Sequence, residues 1–207
     1  MTIIVPAVLV RTRRQLRERL TLKASRFHID IMDGKFVRQR TIGAATLRSV
    51  RTRAFIEAHL MIKDPLRRIR EFVGIADLVV PHAEAIDDLE DYAHHARELG
   101  FKVGIAINPR TPLRAVLAHA SLFDYVLIMA VRPGKGGQRF DPRVLSKVAL
   151  LRKRHPRLSI GVDGGVHHDT VGRIVAAGAD VLSVGSAIYG SDDPAGTMRA
   201  LRQEASR

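Results

Sequence analysis

The sequence contains no Cys and no Trp, and aromatic residues make up only 5% of it. Without Cys there is no disulfide framework, no thiolate-bound zinc or iron–sulfur cluster and no thiol nucleophile, so any metal must be held by His and carboxylate. Long apolar runs are missing too. The longest, Ile3 to Val10, is interrupted by Pro6 and falls far short of the ~20 residues that cross a bilayer as a helix. The Arg cluster at Arg11, Arg13, Arg14, Arg17 and Arg19 follows that apolar stretch, the reverse of the order in a secretory signal, and the expected location is the cytoplasm.

Acidic residues are also in short supply: 21 Asp and Glu stand against 34 Lys and Arg, a formal charge of +13. A basic chain attracts phosphate backbones, so a nucleic-acid-binding barrel without catalysis is one reading of the charge. Distribution argues against it. The basic residues fall in separate clusters, at Arg11 to Arg19, Arg48 to Arg53, Arg67 to Arg70 and Arg152 to Arg154, interleaved with Leu, Ile and Val as on the solvated faces of amphipathic helices. The scarcity of aromatics leaves few platforms for stacking bases. The same positive field favours a small anionic substrate.

With 207 residues, 46% of them hydrophobic, the chain can bury a core, and residues 1–207 are expected to form a single domain. Short β-branched runs alternate with segments of helical period. The expected strands are Ile3–Leu9, Phe27–Ile31, Phe55–Leu60, Leu78–Val80, Val103–Ile107, Tyr125–Met129, Ile160–Asp163 and Val181–Gly185. Helices are expected over Thr12–Leu20, Ala44–Val50, Pro65–Val73, Ile86–Leu99, Leu113–Ala120, Pro142–Arg154, Asp169–Ala177 and Pro194–Ala205. Asp64-Pro65 and Thr111-Pro112 read as helix openings, and Gly100 and Gly178 as left-handed caps. Eight alternations favour an α/β TIM (β/α)₈ barrel over a doubly wound sheet.

In such a barrel chemistry collects where strands end. Side chains on a strand alternate faces, so His28, Asp30 and Met32 share one face and Glu57, His59 and Met61 another. With Asp163 at the seventh strand end, two imidazoles and two carboxylates converge from three strands, a donor set suited to Zn²⁺, Fe²⁺, Mn²⁺ or Co²⁺. The ends of strands six, seven and eight are rich in glycine: Gly134, Gly136 and Gly137 around Lys135, then Gly164 and Gly165, then Gly185-Ser186. Glycine lets backbone N–H groups approach an anion, and loops after the last strands of this fold commonly hold phosphate. Met32, Met61 and Met129 form a candidate polarizable wall around the reacting carbons.

The segments His28 to Val37, Glu57 to Met61, Asn108-Pro109, Pro133 to Gln138, Val162 to Val166 and Gly178 to Ser186 resemble the ribulose-phosphate 3-epimerase family over essentially the whole chain. The resemblance implies a barrel that interconverts D-ribulose 5-phosphate and D-xylulose 5-phosphate with one divalent metal, Zn²⁺ first among the candidates. It implies ligation by His28, Asp30, His59 and Asp163, with Asp30 and Asp163 as the acid and base on opposite faces of C3. His59 also joins the glycines, Lys135 and Ser186 in the implied substrate and phosphate set. Self-association as a dimer or hexamer is implied as well.

Inversion next to a ketone needs a proton removed from one face and returned to the other, so two carboxylates must flank the carbon. A loop closed over the site protects the intermediate from water, and Pro133 to Gln138 is the expected lid. This chain departs from the family pattern at Ala7, Val10-Arg11-Thr12, Lys35, Arg38-Gln39, Arg132 and Lys135. Those changes touch the substrate rim, leaving another ketose phosphate such as allulose 6-phosphate as an alternative substrate. His82 and Glu84 are expected either to line the pocket or to hold the adjoining loop, while His94, His95, His119, His155, His167 and His168 read as surface residues.

Overall fold

The eight β-branched runs become eight parallel strands of a closed barrel in the computed structural model, which describes residues 2–206. The strands are β1 (Ile3–Val8), β2 (Arg26–Met32), β3 (Phe55–Met61), β4 (Leu78–Pro81), β5 (Lys102–Ile107), β6 (Tyr125–Met129), β7 (Ser159–Asp163) and β8 (Val181–Val184), hydrogen-bonded in sequence order with β8 closing on β1. Around them lie α1 (Arg13–Arg19), α2 (Ala44–Arg48), α3 (Pro65–Arg68), α4 (Leu89–Glu98), α5 (Arg114–Leu117), α6 (Leu145–Arg154), α7 (His168–Ala176), α8 (Ser186–Tyr189) and α9 (Pro194–Glu204). This is the expected (β/α)₈ barrel. Among the described residues no helix is long and apolar enough to cross a membrane.

Helix ends are set by caps and tight turns. The expected start at Ile86 moves to Leu89 because Ala83–Ala85 forms a 3₁₀ turn and the Asp88 carboxylate accepts from the N–H groups of Glu90 and Asp91. The segment after Pro65 divides into an α turn and a 3₁₀ turn over Ile69–Phe72, and the helix expected from Leu113 to Ala120 shrinks to Arg114–Leu117. Pro112 therefore precedes its helix instead of opening it. Gly100 and Gly178 take the positive φ expected of them.

Parallel strands are buried on both faces, and the core has two parts. The larger lies between strands and helices; the smaller fills the barrel interior with Val5, Leu78, Val80, Ala106, Leu127, Met129, Val181 and the ring of Tyr125. Tyr125 fits because the strands on either side of it supply glycine. A Cβ on Gly161 would overlap its hydroxyl, and one on Gly104 would lie 3.2 Å from its ring. Interior packing thus closes the barrel and leaves the polar inward positions of β2, β3, β7 and β8 to shape its carboxyl-terminal mouth.

Candidate active site

Strand register brings the site together. β2 and β3 pair so that His28 faces Glu57, Asp30 faces His59 and Met32 faces Met61, and β7 presents Asp163 between Met129 on β6 and Ser183 on β8. His28, Asp30, His59 and Asp163 each place a donor atom within 4.8 Å of the others. Asp30 Oδ1 lies 3.0 Å from His59 Nδ1 and 3.3 Å from His28 Nε2, and those two nitrogens are 3.1 Å apart.

The remote side of each imidazole is occupied. A carboxylate can only accept, so His28 Nδ1 donates to Glu57 Oε1 at 2.8 Å, with the Ser183 hydroxyl 3.2 Å away. Behind His59 stands His82, fully buried, with the two Nε2 atoms 2.9 Å apart. His82 Nδ1 lies 3.2 Å from Glu84 Oε2 and must donate to it. Burial pulls His82 down to about 4, so its ring is neutral and its Nε2 accepts from His59 Nε2–H. Burial likewise lowers His59. The three contacts that link Glu84, His82, His59 and Asp30 thus share two ring protons, and His59 Nδ1 faces a carboxylate oxygen at 3.0 Å.

Such an arrangement requires a positive charge among the donors. In the metal-free protein that charge is a proton on His28. Burial works to remove it, but Glu57 and the hydrogen bonds to Asp30 and Glu57 hold the His28 pKa well above its usual value. A divalent cation satisfies the same donors, and neighbouring ligands of a tetrahedral ion with ~2.0–2.1 Å bonds are roughly 3.3 Å apart, close to the nitrogen separation here. Two imidazoles and two carboxylates therefore fit a borderline divalent metal.

The two aspartates are pushed in opposite directions. Burial raises both, but His28 and His59 more than reverse this for Asp30, which stays ionised. Asp163 is pushed up to about 7 by burial, with the nearby charges of Asp30 and Glu57 adding to the rise against the pull of His28. Glu57 is held down to about 2 because its contacts with His28 and Arg26 outweigh its burial.

Above the donors opens a cavity of about 360 Å³. Asp30 and Asp163 reach it from β2 and β7, which are separated by β1 and β8, and Met32, Met61 and Met129 form part of its wall. His28 and His59, fully buried, sit beneath it. Pro133 to Gln138, Gly164, Gly165, Gly185 and Ser186 line the other side, with Arg19, Arg132 and Lys135 as its cations. The Gln138 side-chain amide donates to the carbonyls of Arg132 at 2.7 Å and Lys135 at 2.6 Å, bracing this loop. Gly165 has φ +65°, and a Cβ there would lie 2.6 Å from the backbone of Phe140; only glycine lets this loop pass so close.

Of the two readings of His82 and Glu84, the loop-holding one describes their contacts: Glu84 accepts from Asn108 N–H at 2.8 Å and from the Thr111 hydroxyl, and neither residue lines the cavity. His94, His95, His119, His155, His167 and His168 all keep solvent exposure. Sequence reasoning missed Arg26, whose guanidinium binds Glu57 Oε2, and Arg19, which stacks 4.4 Å over the Tyr189 ring at the cavity edge. Neither has a spacing signal, since both act on residues distant in sequence.

Known proteins of the same shape include 3-hexulose-6-phosphate synthase from Salmonella typhimurium, with a TM-score of 0.74, 19% identity and coverage of 99% of each chain. Orotidine 5'-phosphate decarboxylase from Pyrococcus horikoshii superimposes with a TM-score of 0.71 at 20% identity, over 99% of this chain and 100% of that one. These likenesses concern the barrel alone. In sequence, the chain is 42% identical to ribulose-phosphate 3-epimerase of Mycobacterium tuberculosis over 185 residues, 86% of this chain and 81% of that protein. It is 39% identical to the Schizosaccharomyces pombe enzyme of the same name over 181 residues, covering 84% and 79%. The profile of the Ribulose-phosphate 3 epimerase family matches residues 2–189, and with the inward His and Asp side chains of β2, β3 and β7 gathered beneath one cavity, this chain belongs to the ribulose-phosphate 3-epimerase family.

Proposed function

We propose that residues 1–207 act as one barrel domain that interconverts D-ribulose 5-phosphate and D-xylulose 5-phosphate with the help of one divalent metal. The observation that carries this reading is the pair Asp30 and Asp163, which reach one cavity from separated strands with pKa values pushed in opposite directions. Two carboxyl groups pushed apart in pKa are the arrangement acid–base catalysis needs.

Asp30, ionised, removes the proton from C3 on one face; Asp163 returns a proton to the other face, and the roles exchange in the reverse direction. Proton transfer from a positioned side chain is typically worth ~10²–10⁴-fold. A divalent cation, when bound by His28, Asp30, His59 and Asp163, supplies Lewis-acid stabilisation of the negative charge developing on the substrate oxygens. The methionines Met32, Met61 and Met129 exclude water from the enediolate carbons. The phosphate is held by backbone N–H groups around Gly134, Gly136, Gly137, Gly164, Gly165, Gly185 and Ser186, with Lys135 adding charge at the rim. Pro133 to Gln138 acts as the lid.

The test is turnover on ribulose 5-phosphate and allulose 6-phosphate, before and after chelation and after return of Zn²⁺, Fe²⁺, Mn²⁺ or Co²⁺. Preferred turnover of the pentulose, lost on chelation and restored by metal, is expected. A preference for the hexulose would transfer the reaction to the six-carbon substrate, in keeping with Ala7 and the cationic rim. Turnover of neither sugar by metal-replete protein would refute the proposal.

A further inference from the structure

One buried ion pair has no part in proton transfer. Arg26, at the start of β2, lies on the inward face two positions before His28, at the opposite end of the strand from the cavity. Its guanidinium is sandwiched between the rings of Phe55 and Tyr125, at 5.0 and 5.2 Å from their centroids. From there Nε and Nη2 both donate to Glu57 Oε2, at 3.1 and 2.6 Å. The other carboxylate oxygen, Oε1, is left to accept from His28 Nδ1 at 2.8 Å. Glu57 has no solvent exposure and Arg26 little, its side chain being 17% exposed.

Each contact in this chain has a defined sense. Arginine donates and carries a permanent charge; the carboxylate only accepts; His28 must therefore keep a proton on Nδ1 and turn Nε2 toward Asp30 and His59. The charges balance as well. Glu57 and Arg26 cancel, so the donor group offers a dication the two charges of Asp30 and Asp163 and no third.

We propose that Arg26 and Glu57 are positioning residues for metal binding: together they fix the tautomer and ring orientation of His28 from the far end of the barrel and so set the affinity of the site. This rests on the metal-binding reading above. Remote hydrogen-bond partners of metal-bound imidazoles typically change affinity by ~10–100-fold.

The experiment measures Zn²⁺ affinity by competition with a chromophoric chelator, and the visible absorption of the Co²⁺-loaded protein, for the parent, Glu57→Gln and Arg26→Gln. In Glu57→Gln the side chain can turn its oxygen to His28 only by pointing its NH₂ group at Arg26, so affinity should fall about 10–100-fold and the Co²⁺ bands should shift. Arg26→Gln, which leaves Glu57 charged but unanchored, should fall several-fold. Excess metal should restore turnover in both variants with the KM for sugar phosphate unchanged, which general damage to the fold would not allow. Should Glu57→Gln fail to fold, Arg26→Gln decides alone. Parent protein that binds metal, with the folded variants within twofold of it, overturns this inference while sparing the metal site. A parent that binds no divalent metal overturns both.

Discussion

Metal binding at the proposed site would compete with protons, and the donor set indicates how strongly. The histidine contacts hold Asp30 ionised and burial pulls His59 down, so these two donors compete least with protons. Asp163 titrates near 7 and His28 well above its usual value. Lowering the pH from about 8 to about 6 takes Asp163 from roughly nine-tenths ionised to roughly one-tenth, a loss of about tenfold in apparent affinity from this group alone. Displacing the His28 proton adds up to about tenfold per pH unit. The apparent affinity for Zn²⁺ should therefore fall between about ten- and a thousandfold over this interval, with one to two protons released per metal bound near neutral pH. Chelator competition at three pH values gives the affinity, and calorimetry in two buffers of different ionisation enthalpy counts the protons. An affinity independent of pH, with no proton release, would refute the reasoning about this donor set.

Two substitutions separate catalysis from stability. Asp163→Asn removes a carboxyl that resists ionisation beside Asp30 and Glu57. Because the folded-state pKa of Asp163 is raised, its contribution to stability is present at low pH and is lost as pH climbs from about 4 to about 7. The metal-free variant should thus melt a few degrees above the parent at about pH 8 and level with it near pH 4, while turnover falls by at least ~10²-fold; equal melting curves at high pH would contradict this. Gly165→Ala forces a side chain into a left-handed turn against Phe140, and should cost about 1–3 kcal/mol in urea unfolding and raise KM for the sugar phosphate. An unchanged KM in the folded variant would remove Gly165 from the proposed phosphate site.

Much of this arrangement is legible in the chain itself because it rests on alternation. Tyr125–Met129 is read to the residue, since a continuous apolar run that opens after Asp124 suits a parallel strand buried on both faces. The spacing His28-x-Asp30 places both side chains on one face of a strand, and the same holds for Glu57-x-His59. Which residues then meet across strands depends on register, and the pairing of His28 with Glu57 is visible only in the folded barrel. For that reason Arg26 reads from sequence as one more cation in a basic chain. Helix ends are less legible: the carboxylate of Asp88 caps α4 so that it starts at Leu89, three residues past the apolar start at Ile86, and periodicity carries no sign of the 3₁₀ turn before it. His82 shows the limit differently, for its position at a strand end suits a pocket residue as well as a buried partner of His59. Only the contact between their Nε2 atoms distinguishes the two.

The central claim, opposed proton transfer at C3 by Asp30 and Asp163 around one divalent metal, is tested most directly by incubating the metal-replete protein with ribulose 5-phosphate in deuterium oxide and following C3 by NMR. The account predicts deuterium at C3 in both the recovered pentulose and its epimer, with exchange abolished by chelation. Protium retained at C3 of every ketose phosphate offered would contradict it.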